Sequence, residues 1–113
     1  MDRKTKGIVG EAIAKRCYEK QGCEILEENY RYKRGEIDLI ALQNESLLIF
    51  IEVKNRSRKD FGEAETFVSE SQQERIKEAA EEYIYGINWQ KDIRFDIVCV
   101  DGQGNIEVFE DAF

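Results

Sequence analysis

The segment Leu47-Leu48-Ile49-Phe50-Ile51-Glu52-Val53-Lys54 is almost unbroken apolar chain until its last turn. A strand of that pattern has no face to spare for water, so it must run through the centre of a sheet covered on both sides. That requirement already points to an α/β domain with helices on both faces. The flanking pattern agrees. The spacing predicts strands over Glu24 to Tyr30, Glu36 to Leu42, Ile93 to Asp101 and Ile106 to Phe109. Gln43-Asn44-Glu45-Ser46 reads as a short hairpin turn, and Gly102-Gln103-Gly104-Asn105 as a second turn. A helix is expected from Lys6 to Gln21, ending at Gly22, with Val9, Ile13 and Cys17 as its apolar stripe and Glu11 off that stripe. Residues 55–68 read as an irregular loop. Ser71 with Glu74 is a candidate capping box for a second helix. Ile76, Ala79, Ala80, Tyr83 and Ile87 supply that helix's apolar face. The whole chain, residues 1–113, reads as a single domain with a mixed central sheet flanked by helices.

Composition narrows the chemistry. The chain has no histidine, and Cys17, Cys23 and Cys99 lack metal-ligand spacing. A zinc cluster and a histidine-activated nucleophile are therefore both out of reach. Catalysis must come from carboxylates, lysine, tyrosine or a metal held by oxygen ligands. The start, Met-Asp-Arg-Lys-Thr-Lys, leads into no apolar signal segment, and no apolar run approaches a membrane span. A cytoplasmic protein without membrane association is the expectation. The net charge of −7 is unevenly spread. Residues 1–59 carry 13 Lys and Arg against 10 Asp and Glu, whereas residues 60–113 carry 4 against 14. Cations cluster at Arg31-Tyr32-Lys33-Arg34 and at Lys54-Asn55-Arg56-Ser57-Arg58-Lys59, where they can meet phosphate despite the overall acidity.

Strand side chains alternate, so Glu52 and Lys54 share a face while Val53 takes the other. Pairing of the neighbouring strand as a hairpin brings Asp38 to the same end. Two carboxylates side by side resist joint ionisation, and a hard divalent cation such as Mg²⁺ or Mn²⁺ removes that penalty. The carbonyl of Val53 is a further candidate ligand. Lys54 would then orient water or neutralise a phosphate. The same three residues also read as cross-strand ion pairs on a solvated face, worth ~0–1 kcal/mol each.

An aspartate followed by an apolar strand ending in Glu-x-Lys resembles the PD-(D/E)xK motif of the restriction-endonuclease-like fold. The ordered set is more specific: Gly10-Glu11, Gly35-Glu36-Ile37-Asp38-Leu39-Ile40-Ala41, Glu52-Val53-Lys54-Asn55-Arg56-Ser57, Phe61-Gly62 and Arg94-Phe95-Asp96-Ile97-Val98. Together these resemble the YraN-like family of bacterial proteins, distant relatives of Holliday junction resolvases. The resemblance implies metal-binding acids at Asp38 and Glu52, a catalytic lysine at Lys54 and a helix glutamate at Glu11. It also implies a metal-dependent endonuclease acting on DNA, on branched or junction structures, as a homodimer. Arg31, Lys33, Arg34, Arg56 and Arg58 are the candidates for phosphate contacts. Ile37 stands where the motif has proline. Near the second helix, where the family offers a cation, this chain has Gln72-Gln73, which can hydrogen-bond a phosphate less strongly. Two rivals follow from these departures: a nucleic-acid-binding module that does not cleave, and a protein-interaction scaffold using the acidic second half.

Overall fold

In the computed structural model, residues 3–113 are described, with the side chains of residues 3, 4 and 63–66 left aside. The start of the charged opening segment, Met1 and Asp2, lies outside them. The elements run α1 (Arg3–Lys20), β1 (Glu24–Tyr32), β2 (Gly35–Gln43), β3 (Leu47–Asn55), a 3-10 helix (Arg58–Phe67), α2 (Glu70–Ile87), β4 (Asp92–Val100) and β5 (Ile106–Phe109). The five strands form one sheet in the order β1-β2-β3-β4-β5. β3 pairs antiparallel with β2 and parallel with β4, and β5 closes the far edge antiparallel to β4. The sheet is mixed, and the apolar strand β3 lies at its centre.

Alternation along β3 builds two cores. Leu48 and Phe50 face α2, where Ile76, Ala79, Ala80 and Tyr83 cover them. Ile49, Ile51 and Val53 face α1, under Ala14 and Tyr18. Each such side chain, fully buried, is worth roughly 1.5–3 kcal/mol relative to exposure. The β2–β3 turn takes left-handed φ at both Asn44 and Glu45, as the twist of a tight hairpin requires.

Four expectations shift. In α1 the buried positions are Gly10, Ala14 and Tyr18, one residue along from the expected stripe, and Val9 is exposed. Size explains this: Gly10 lies so close to the Asn55 side chain that a methyl group would reach to 2.7 Å of its Oδ1. The helix therefore turns its small residues, not its branched ones, toward the sheet. The segment read as an irregular loop contains the 3-10 helix. The α2 cap is Ser69, not Ser71: its Oγ accepts from the Gln72 N–H at 3.1 Å. Ile87, expected on the buried face, is exposed.

Candidate functional site

Apart from a register shift in β1 between Ile25 and Glu27, one position breaks the regularity of the sheet. The β2–β3 ladder ends at the Leu39–Ile51 pair, one step short of Asp38 and Glu52. On the other side, the β1–β2 register skips the step between Glu28–Leu39 and Tyr30–Ile37, where Asn29 takes a left-handed φ of 54°. Ile37 joins the α2-side core and Leu39 the α1-side core, although residues two apart in a regular strand share a face. The strand therefore twists at Asp38 and the sheet splits there. The backbone N–H of Val53, with no strand carbonyl opposite, donates instead to Asp38 Oδ2 at 2.7 Å. A buried donor must find an acceptor, and the carboxylate supplies it.

The split opens a cleft of about 180 Å³ lined by Arg34, Gly35, Glu36, Asp38, Glu52, Gln72, Arg75 and Ile76. Glu52 is 7% exposed. Gln72 Nε2 donates to it across a long 3.4 Å. Burial first, and then the hydrogen-bonded Asp38 carboxyl, hold the proton on Glu52 well above the usual carboxylate range, with Lys54 pulling the other way. Glu11 reaches the same end from α1, across the sheet. Partial burial, then Asp38 and Glu36, push its carboxyl up to about 7. The amide of Asn29, turned to suit both neighbours, donates to Glu11 Oε1 (2.9 Å) and Glu36 Oε1 (3.2 Å). Among the described residues, no three acidic or cysteine side chains converge in the arrangement of a metal site.

The sequence-predicted residues thus divide. Asp38 lies beside Glu52 and its charge is felt by Glu11, while Gln72 meets Glu52 from α2. Lys54 lines a second, larger groove next to the cleft, yet its charge still reaches Glu52. Gln73 turns away and donates to the Val68 carbonyl. Among the cations, Arg34 rims the cleft, while Arg31 pairs with Glu36 and Lys33 with Glu78, both at 3.3 Å. Arg56 lines the larger groove, and Arg58 is exposed on the 3-10 helix.

Sequence reasoning missed Arg75 and Glu36. Arg75 lies three residues after Gln72, hence on the same helix face, and brings to the cleft the cation that Gln72-Gln73 had left wanting. The i, i+3 relation was the available signal. Gly35 keeps this wall close, since a methyl group there would run into the Arg75 carbonyl.

Fold and site together define a mixed α/β domain, a five-stranded sheet with helices on both faces, that carries an acidic cleft where two central strands part. No helix among the described residues is long and apolar enough to cross a membrane. The chain belongs to the uncharacterised protein family UPF0102, whose model matches residues 10–100, and these are the YraN-like proteins that the motifs resemble. A UPF0102 protein of Cytophaga hutchinsonii is 47% identical over 103 residues, covering 91% of this chain and 90% of the relative. One from Flavobacterium psychrophilum is 39% identical over 110 residues, covering 95% and 92%. Among solved structures, Pyrococcus furiosus SfsA in complex with Ca²⁺ aligns at 15% identity and a TM-score of 0.33, over 97% of this chain and 64% of that one. Likeness at that level carries no argument about fold or ligand.

Proposed function

We propose that the cleft at the β2–β3 split is the active site of a divalent-metal-dependent nuclease of the restriction-endonuclease-like kind, acting on DNA. The observation that carries this reading is Glu52: a carboxyl buried on a central strand, held beside Asp38, and reached by the Gln72 amide only at 3.4 Å. Burying an acid in this way costs stability unless something else repays it. The donor set suits Mg²⁺ or Mn²⁺, which need only one or two carboxylates and keep the rest of their shell as water. Asp38 and Glu52 would hold the ion. Bound there, it supplies positive charge that ionises both carboxyls, activates water and offsets charge on a phosphodiester.

The protein's own groups do the rest. The Val53 N–H fixes the Asp38 carboxylate, so its orientation is set before any ligand arrives. The Gln72 amide, held by the capped first turn of α2, offers a donor over Glu52. Arg34 and Arg75 rim the cleft as phosphate ligands. Glu11, with its proton held up to about 7, can take or return a proton near neutral pH.

Calorimetric titration of Mg²⁺ and Mn²⁺ into wild type and Asp38→Ala, followed by incubation with linear, single-stranded and four-way-junction DNA, tests this. Metal binding lost in the variant, with metal-dependent cleavage by wild type alone, is the expected outcome. Absence of metal binding to wild type overturns the site. One observation favours a second reading, a nucleic-acid-binding module without turnover: the first turn of α2 offers Glu52 an uncharged amide. Metal binding without cleavage of any of the three DNAs would select it.

A further inference from the structure

The larger groove, about 870 Å³, lies between the first half of α1 and the ends of β3 and β4. Its α1 wall comprises Lys6, Val9, Gly10 and Ile13. Opposite are Val53, Lys54, Asn55 and Arg56, with Asp101 and the Gly102 turn closing one end. The lining combines two chemistries. Val9, Ile13 and Val53 are aliphatic, and Val9 stays 41% exposed even though α1 has a sheet to pack against. Lys6, Lys54 and Arg56 are cationic, and none of the three forms an ion pair among the described residues.

The single acid of the lining, Asp101, leaves these cations in excess. The Asp101 carboxylate is spent on its own turn, accepting from Gln103 N (2.8 Å), Asn105 N (2.8 Å) and Asn105 Nδ2 (2.7 Å). Arg56 is set as a plate. Its Nη1 donates to the Asn55 carbonyl at 2.8 Å, and its guanidinium lies over the Phe67 ring, 4.6 Å from the centroid. One face is thus occupied, while the residue as a whole remains exposed.

We propose that this groove holds one unpaired strand of nucleic acid, phosphates against Lys6 and Lys54 and a base stacked on the outer face of Arg56. A duplex turns phosphate and sugar outward and hides its bases, so it has no use for an aliphatic floor. An unpaired strand presents anion and apolar ring together, and guanidinium planes are established stacking partners for bases. Lys54 belongs to the groove and also acts on Glu52, so a strand lying here passes the mouth of the acidic cleft. The choice of polymer rests on the nuclease reading of that cleft.

Fluorescence anisotropy in EDTA separates the two proposals. The probe is a labelled oligothymidylate of about a dozen nucleotides, a length typical of single-strand sites, compared with a duplex of equal length. Wild type is expected to bind the single strand about tenfold more tightly than the duplex, and Asp38→Asn to bind it equally well. Lys6→Glu with Arg56→Ser should weaken binding about tenfold and flatten the dependence of affinity on salt. Arg56→Lys, which keeps the charge but not the plane, should lose part of the affinity in a variant certain to retain the local charge balance. Preference for duplex, an unaffected double variant, or equal competition by polyglutamate would each overturn the groove. Loss of binding in Asp38→Asn alone would place the strand in the cleft and also overturn it. Strand binding at the groove without metal-dependent cleavage leaves this proposal standing and sinks the nuclease reading.

Discussion

Asp96 and Glu52 are two buried acids on adjacent strands, one register step apart, yet the protein treats them in opposite ways. Asp96 pairs across from Ile51, and Glu52 from Ile97. The neighbours of Asp96 on β4 place it toward α1, and those of Glu52 on β3 place it toward α2. Asp96 is fully buried and fully answered. Arg94 donates twice at 2.8 Å, Tyr18 Oη donates at 2.7 Å from α1, and the Asp111 N–H donates at 3.1 Å from the C-terminal segment. Glu52 has an amide at 3.4 Å and another acid. A carboxylate with a built-in guanidinium is a tie between elements. One that keeps its proton for want of a cation is an unfinished site, and unfinished sites are where ligands act.

The comparison breaks first at Asp96. Asp96→Ala leaves the half-buried Arg94 with only Glu110 at 3.5 Å and strips Tyr18 Oη and the Asp111 N–H of their acceptor, and a loss of about 3 kcal/mol in urea unfolding is expected. If the loss is below about 1 kcal/mol, Asp96 is no tie. Tyr18→Phe removes the α1 strut but leaves the guanidinium in place, so a loss of about 1.5–3 kcal/mol is expected, the range for a hydrogen bond to a charged group. On the cleft side, Gly35→Ala should cost about 1–3 kcal/mol as the Arg75 carbonyl, and α2 with it, is forced away from β2, and should weaken Mg²⁺ binding in the same samples. Unchanged stability and metal affinity would mean the wall yields without consequence.

The smallest effect is also the sharpest contrast. The folded state raises the proton affinity of Glu52 and Glu11 above that of the unfolded chain, whose carboxyls titrate near 4.5. Their contribution is therefore fully present below that pH and is lost as pH climbs, for Glu11 by about 7 and for Glu52 beyond it. Thermal melting of Glu52→Gln should match wild type near pH 5 and exceed it near pH 9, and added Mg²⁺ should close the gap. A variant less stable than wild type at pH 9 would count Glu52 among the structural acids after all.

Much of this was readable from local chemistry. The apolar run of β3 demanded a central strand because nothing in it tolerates water. A polar four-residue gap between two strand patterns demanded a hairpin, and alternation put Glu52 on the face opposite Val53. Those signals act over two to seven residues, the range at which side-chain direction is set by the backbone. Helix faces were less legible. Val9-Ile13-Cys17 was the hydrophobic choice, but Gly10 and Ala14 won because close approach to Asn55 favours small residues over greasy ones. The cap at Ser69 displaced Ser71 because the 3-10 helix before it delivers the chain two residues earlier.

Long-range geometry decided the rest. Arg94-Phe95-Asp96 was visible as a motif, but its role as a tie needed Tyr18, 78 residues away, to arrive at the same carboxylate. Neither the reversal of alternation at Asp38 nor the capture of the Val53 N–H can be read from β2 alone, because each depends on where β1 and β3 stop pairing with it. Glu11 and Arg75 reach the same end of the sheet from helices on opposite faces, and only packing brings them there. A strand's pattern specifies which way its side chains point; which charges meet at its end is settled by the elements laid across it.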